Sequence, residues 1–177
     1  MNKFITVLIV VLFFSCADTE PRKPVVRKTG TFLKESIQRN IDKNKLEEEI
    51  LTLRIKKDTL NNYLESEQGF WYFYVQKDTL NGQPPKKGDE VVFGYEVKRI
   101  NDSIVYSEDV LGDIHYIVDK QELISGLQDG IKLMRKGEIV TFLFPSHKAF
   151  GYSGAEGINP NEPLIYTVHL KEIIVKN

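Results

Sequence analysis

The sequence predicts an α+β domain: a curved antiparallel β-sheet wrapped around one short α-helix, with an N-terminal helical extension in front of it. Three observations predict this. From Gly69 onward the chain alternates β-prone runs with turn-rich connections. One short amphipathic helix, over Ser125 to Arg135, interrupts those strands. Residues 32–67, by contrast, contain no Pro or Gly and are rich in Leu, Ile, Glu and Lys, the composition of a helix. One short helix serving several strands over long connections is the pattern of a sheet curved round a single helix.

Residues 1–15 have the shape of an export signal, with Lys3 followed by apolar Phe4 to Phe14. The run is shorter than the roughly 20 apolar residues that span a bilayer. It ends Leu12-Phe13-Phe14-Ser15-Cys16, which resembles a bacterial lipobox. That resemblance implies cleavage before Cys16 and lipid attachment to its sulfur and new amino group. The other reading is an ordinary signal peptide or anchor with an incidental cysteine. Cys16 is the chain's one cysteine and sits where processing would occur, which favours the lipobox. Several acyl chains on one residue would hold a membrane stably. Ala17, rather than Asp, after the cysteine favours the outer membrane, and an anchor facing the periplasm is expected. Residues 16–31 are polar, carry Pro21, Pro24 and Gly30, and read as a flexible tether. Arg22-Lys23 and Arg27-Lys28 could touch anionic headgroups, but a solvated linker is the favoured reading.

Within the helical stretch 32–67, Leu46, Ile50, Leu53, Lys57, Leu60 and Leu64 are spaced alternately four and three, as in a coiled-coil seam. Lys57 interrupts the seam. Asp58-Thr59 is expected to restart the helix as a cap. Two readings stay open. Helix 33–64 pairs with a second copy or a partner protein, or it lies against its own C-terminal domain.

The domain itself is expected over residues 69–177. Phe70 to Val75 is aromatic and β-prone, the first strand. Asn81 to Asp89 is dense in turn residues. Glu90 to Arg99 is a strand, Asn101-Asp102 a turn, and Ser103 to Tyr106 the return. Ile114 to Val118 is a short strand. Ile124, Leu127, Ile131 and Met134 then share one face of the short helix. Glu138 to Phe144 is a strand stopped by Pro145, residues 146–163 form a long loop, and Leu164 to Val175 closes the chain as a strand.

Composition narrows the function. Net charge is -1, with 24 basic and 25 acidic residues, so no nucleic-acid partner is expected. His115, His147 and His169 show no metal-ligand spacing, and no metal or other cofactor is expected.

Five segments, in order, carry a family resemblance. They are Pro85-Lys86-Lys87-Gly88-Asp89 before Val91-Val92-Phe93-Gly94-Tyr95; Leu123-Ile124-Ser125-Gly126-Leu127-Gln128-Asp129-Gly130; Met134-Arg135-Lys136-Gly137-Glu138; Ala149-Phe150-Gly151 with Gly154 and Ile158-Asn159-Pro160-Asn161; and Leu164 to Leu170. Together they resemble the FKBP-type peptidyl-prolyl isomerases over roughly Pro84 to Ile174. With the lipobox and the Glu/Lys-rich helix, the whole chain resembles the gliding-motility-associated FKBP-type lipoproteins of Bacteroidota. The resemblance implies an FKBP-like fold and a catalytic set of Tyr95, Ile124 and Phe150. It implies further substrate contacts from Tyr106, Leu123, Leu127, Ile158 and Tyr166. The Ile124 N–H would hold a substrate carbonyl, while Tyr95 and Phe150 flank the proline. Two positions depart from the pattern. The pocket floor, commonly Trp, is Leu127, and the aspartate expected after Tyr106 is Ser107, followed by Glu108 and Asp109.

The chemistry asks for such a set. An X-Pro bond turns slowly because twisting it breaks amide resonance, with a barrier of roughly 20 kcal/mol. The twisted amide has lost charge separation. A water-poor apolar cavity therefore stabilises it relative to the planar form, with no acid, base or nucleophile. Three functions follow. The leading one is a lipid-anchored isomerase assisting the folding of exported proteins with Pro-containing segments. The second is a non-catalytic chaperone or adaptor that captures such segments, favoured by Ser107 and Leu127. The third is a structural lipoprotein whose helix 33–64 docks an envelope machine.

Overall fold

A computed structural model describes residues 29–78 and 82–176. The signal-like stretch 1–15, Cys16 and nearly all of the tether 16–31 lie outside the described residues. By contacts the chain divides into Met1–Ile37 and Gln38–Asn177. Of the first unit, the described residues are the opening turns of helix α1 (Thr29–Lys57).

The second unit holds a seven-stranded antiparallel sheet. Its strands are β1 (Leu64–Ser66), β2 (Phe70–Gln76), β3 (Glu90–Arg99), β4 (Ile104–Tyr106), β5 (Ile114–Ile117), β6 (Ile139–Phe144) and β7 (Leu164–Ile174). The order across the sheet is β1-β2-β6-β7-β3-β4, with β5 pairing the first half of β3. Helix α2 (Glu108–Leu111) follows β4, and helix α3 (Ser125–Ile131) crosses between β5 and β6. The expected fold, a curved antiparallel sheet around one short helix, is the one observed.

Register explains the two faces. One row of paired residues runs Tyr72, Phe142, Tyr166, Val97, Tyr106 across five strands. With Phe70, Phe93, Phe144 and Val168, these side chains form the main core, against which α3 lays Leu127 and Ile131. The next row, Trp71, Leu143 and Ile165, points to the other face, because side chains alternate along a strand. That face would be wet without a cover. Leu51 of α1, fully buried, supplies one, with Ile55, Tyr63 and Ile100 packed around it.

The sequence left the helical extension with two readings, and the structure places its second half against its own domain. The covering face is Glu47, Leu51, Ile55 and Asp58, not the apolar seam. Leu46, Ile50 and Leu53 remain exposed, as do Phe32, Leu33, Ile37 and Ile41 nearer the start of α1. The helix also ends at Lys57 rather than running to 67. Asp58 was expected to cap a new helix. Instead its carboxylate accepts the N–H groups of Leu60 and Asn61 at 3.2 and 3.3 Å and the Tyr63 hydroxyl at 2.8 Å. Such a side chain-to-backbone turn competes with helix and turns the chain into β1. The Asn61 side-chain amide also donates to this carboxylate at 2.9 Å, and that bond first, then the one from Tyr63, holds the Asp58 carboxyl below its ordinary range.

Two glycines let α3 sit deep. A Cβ at Gly126 would lie 2.8 Å from the Lys148 carbonyl oxygen and 2.8 Å from the Phe144 ring. A Cβ at Gly130 would lie 3.0 Å from the Phe142 ring. At Gly126 the helix therefore lies closer to its neighbours than a side-chain-bearing residue allows, while at Gly130 a methyl would fit only if the Phe142 ring gave slightly.

Candidate functional site

The predicted site residues gather where the N-terminus of α3 meets the concave sheet and the loop after β6. Tyr95 stands on β3 and Tyr166 on β7, with rings stacked at 5.7 Å and 25°. Phe144 packs against Tyr166 as well, with ring centroids 5.4 Å apart. Tyr106, on the short strand β4, donates its hydroxyl to the Glu156 carbonyl, which ties the strand to the long loop. Tyr95, Tyr106, Leu123, Ile124 and Phe150 are half-buried against the main core. Leu127, Tyr166 and Ile158 belong to that core, exposed by only 1%, 1% and 5%. All eight positions thus belong to one continuous apolar cluster, five on its accessible rim and three beneath it. Tyr166, Leu127 and Ile158 shape the wall and floor from below.

The donors are few and well placed. Ile124 precedes α3 in an extended conformation, φ -57° and ψ 139°. Among the described residues its N–H has no acceptor, while its carbonyl accepts the Gln128 N–H at 3.1 Å. The Gln128 side chain turns back to the Leu123 carbonyl at 2.9 Å and so fixes the Leu123-Ile124 segment. Tyr95 is pushed above its ordinary pKa by burial and then by nearby Tyr106. Burial also raises Tyr166, with Tyr95 and Tyr106 adding to it. Both phenols are therefore neutral donors at ordinary pH, and neither hydroxyl is bonded to another described residue.

The loop that closes the site is built, not loose. After β6, Pro145 leads into a 3₁₀ turn over Ser146–Lys148. Lys148 bonds Asp129 of α3 at 3.0 Å. Farther on, Ala155 and Ile158 exchange backbone hydrogen bonds at 3.1 and 3.0 Å. Gly154, at φ 64°, allows this hairpin, since a Cβ there would meet the Ile158 carbonyl oxygen at 2.6 Å. Arg99 holds the Gly157 carbonyl and the Glu162 carboxylate, keeping Ile158 over the core.

Residues 81–171 match the family described as FKBP-type peptidyl-prolyl cis-trans isomerase. The chain belongs to that family. The peptidyl-prolyl cis-trans isomerase Mip of Coxiella burnetii is 37% identical over 90 residues, 50% of this chain and 39% of that protein. The FKBP-type isomerase FkpA of Escherichia coli is 28% identical over 101 residues, 56% of this chain and 37% of that one. The chain thus spans about two fifths of the length of these curated relatives. The crystal structure of Escherichia coli FkpA superposes with a TM-score of 0.61 at 23% identity, covering 98% of this chain and 81% of that chain. A Pseudomonas syringae peptidyl-prolyl isomerase superposes at 0.60 with 20% identity, covering 76% and 95%. These two likenesses bear on the fold.

Within the FKBP domain, the missing aspartate is not replaced by its neighbour. Glu108 turns to the outer face of the sheet, where its carboxylate lies over Gly94 and bonds Lys171 at 2.7 Å. Lys171 also bonds Asp113 at 2.5 Å. Ser107 itself holds the start of α2, its carbonyl accepting the Val110 and Leu111 N–H groups at 3.1 Å. The site is thereby more apolar than a carboxylate-bearing version. One apolar contributor escaped the sequence reading. Ile114 on β5 pairs opposite Phe93, so it shares the face of Tyr95 and packs on the same cluster. The alternation Ile114, Tyr116, Val118 carried that signal. Among the described residues no group of three or more His, Cys, Asp or Glu is placed to hold a metal ion.

Proposed function

We propose that the FKBP domain is a peptidyl-prolyl cis–trans isomerase that acts on Pro-containing segments of exported polypeptides. One observation carries the reading. An aromatic site inside the family-matched segment has donors at Ile124 N–H, Tyr95 and Tyr166 that are bonded to no other described residue, and no carboxylate or imidazole at any of its eight positions. A proline ring seated between Tyr95 and Phe150 loses water on both faces. The Ile124 N–H then receives a substrate carbonyl. The twisted amide, being less polar than the planar one, gains more from this environment.

The remaining assignments are proposals of the same kind. Cys16 carries lipid after cleavage of residues 1–15, and residues 16–31 tether the domain to the periplasmic face of the outer membrane. The clients include exported proteins, such as those of a gliding machinery. The exposed apolar side chains of α1, from Phe32 to Leu53, favour contact with a second copy or a partner protein. Sedimentation tests the contact: one mass at all concentrations removes self-pairing. Labelled palmitate entering the wild type but not Cys16→Ala supports the anchor, and equal labelling removes it.

A second reading has its own support. With Ser107 in the aspartate position and Glu108 turned away, the site binds proline with one orienting group fewer, a loss of roughly 1 kcal/mol or more. On this reading the domain is a Pro-peptide-binding chaperone, or a structural lipoprotein, with little turnover. A proline tetrapeptide isomerisation assay separates the two. A rate above the uncatalysed background that falls in both Tyr95→Ala and Phe150→Ala supports the isomerase. Binding with no rate above background overturns it in favour of the chaperone.

A further inference from the structure

Helix α1 lies outside the family-matched segment, yet one of its side chains reaches the loop that presents Phe150. Glu47 is 4% exposed. One carboxylate oxygen accepts the Ser146 N–H at 2.7 Å, and the other accepts the Ser146 hydroxyl at 2.7 Å. A buried carboxylate is costly unless its hydrogen bonds are made. Leu51, one turn further on the same face, shows what this helix uses where packing alone is needed.

Ser146 is the hub of the loop. Its carbonyl accepts the Ala149 N–H at 2.9 Å and the Gly151 N–H at 2.8 Å, the two residues flanking Phe150. Four hydrogen bonds therefore meet at one residue, two from α1 and two that bracket Phe150. On the other side, Lys148 is tied to Asp129 of α3 at 3.0 Å. The loop hangs between two helices, and Glu47 is the grip from the side the family match does not cover.

We infer that Glu47 is a positioning residue of the isomerase site: by holding Ser146 it sets the place of the Phe150 wall, so the N-terminal helix is a working part of the catalytic assembly. Glu47 does not touch the substrate. The inference rests on the isomerase reading for its kinetic consequence. Its structural half stands on the Ser146 bonds alone.

The test uses the full chain in detergent. The variants are Glu47→Ala, Glu47→Gln, Ser146→Ala and, as a control that loosens α1 without touching the loop, Leu51→Ala. kcat and KM for a proline tetrapeptide are measured separately, at a temperature where each variant is folded by circular dichroism. Amide exchange is followed at Ala149 and Gly151. Glu47→Ala is expected to lower kcat/KM about tenfold, the scale of a lost charge-assisted hydrogen bond, and to speed exchange at both amides. Glu47→Gln is expected to stay within about threefold of wild type, because its amide can bond both Ser146 groups once the hydroxyl reverses direction. Leu51→Ala is expected to change kcat/KM by less than about twofold. Equal losses in Glu47→Ala and Leu51→Ala, or wild-type kinetics and exchange in Glu47→Ala, overturn the inference. If Glu47→Ala does not fold, Ser146→Ala decides: faster exchange at Gly151 with reduced kcat/KM supports it, and neither overturns it. If the wild type shows no isomerisation, the isomerase reading fails separately. Exchange at the two amides and the affinity for the peptide then decide the positioning role.

Discussion

Replacing Gly126 by Ala sets two opposed effects against each other. In an exposed helix the change stabilises by about 0.5–1 kcal/mol, because glycine loses more backbone freedom on folding. Here the new methyl would stand 2.8 Å from the Lys148 carbonyl oxygen, with the Phe144 ring at 2.8 and 2.9 Å. The carbonyl belongs to backbone and cannot swing aside. Either α3 lifts off the sheet or the 3₁₀ turn moves, and overpacking of this kind costs about 1–3 kcal/mol. The net expectation is a loss of about 1–2 kcal/mol, or a fall in Tm of roughly 2–8 °C for a chain of this size. Gly130→Ala is the matched control. Its methyl meets only the edge of the Phe142 ring at 3.0 Å, a side chain that can give a few tenths of an ångström. The propensity gain should nearly cancel that, leaving stability within about 0.5 kcal/mol of wild type. Thermal and urea unfolding of both variants read the difference. Gly126→Ala as stable as wild type, or the two variants equally destabilised, would refute the close-approach argument.

Leu51→Ala empties a fully buried site between α1 and the outer sheet face, and urea unfolding should show a loss of about 2–5 kcal/mol. A loss under about 0.5 kcal/mol would mean that α1 does not cover the sheet in solution. The isomerisation rate should be flat from about pH 6 to about pH 9, since burial raises Tyr95 and Tyr166 away from that range. A bell-shaped profile would require a proton-transferring group that the account lacks. Acid should loosen the turn after α1. The Asp58 carboxyl is lowered in the folded chain, so its contribution is full above the ordinary carboxylate value of about 3.9 and is lost as pH falls through the lowered one. Asp58→Asn should flatten that acid limb, and an unchanged limb would remove Asp58 from it.

Much of this molecule was legible in order of residues. The strands from Phe70 onward announce themselves by aromatic and β-branched runs, and Ile124, Leu127, Ile131 and Met134 marked the face that the short helix buries. Tyr95, Ile124 and Phe150 entered as candidates through segments that resemble the family, and the structure gathers them in one apolar cluster. The N-terminal helix was legible as a helix, but its contact face was not. The heptad-like Leu46, Ile50 and Leu53 drew the eye, while the buried face runs through Glu47, whose charge reads as solvent-exposed until Ser146 is seen beside it. Long-range hydrogen bonds between residues 47 and 146 leave no local signature. Nor does the turn of Glu108 toward Lys171, which depends on Gly94 leaving room above β3. The helix end failed for a different reason. An aspartate can serve as helix cap or as turn former, and the Asn61 and Tyr63 side chains that take up the Asp58 carboxylate are visible only in the structure.

The central claim is that an apolar aromatic wall, not an acid or a base, speeds the twisting of a prolyl bond. The direct measurement is the cis–trans exchange rate of a proline peptide by NMR, with catalytic amounts of the chain and of Phe150→Ala. Removing a half-buried Phe side chain should withdraw about 1–2 kcal/mol of apolar stabilisation from the transition state, so the catalysed rate should fall roughly 5–30-fold while the fold persists. Catalysis by wild type that survives unchanged in Phe150→Ala would contradict the account.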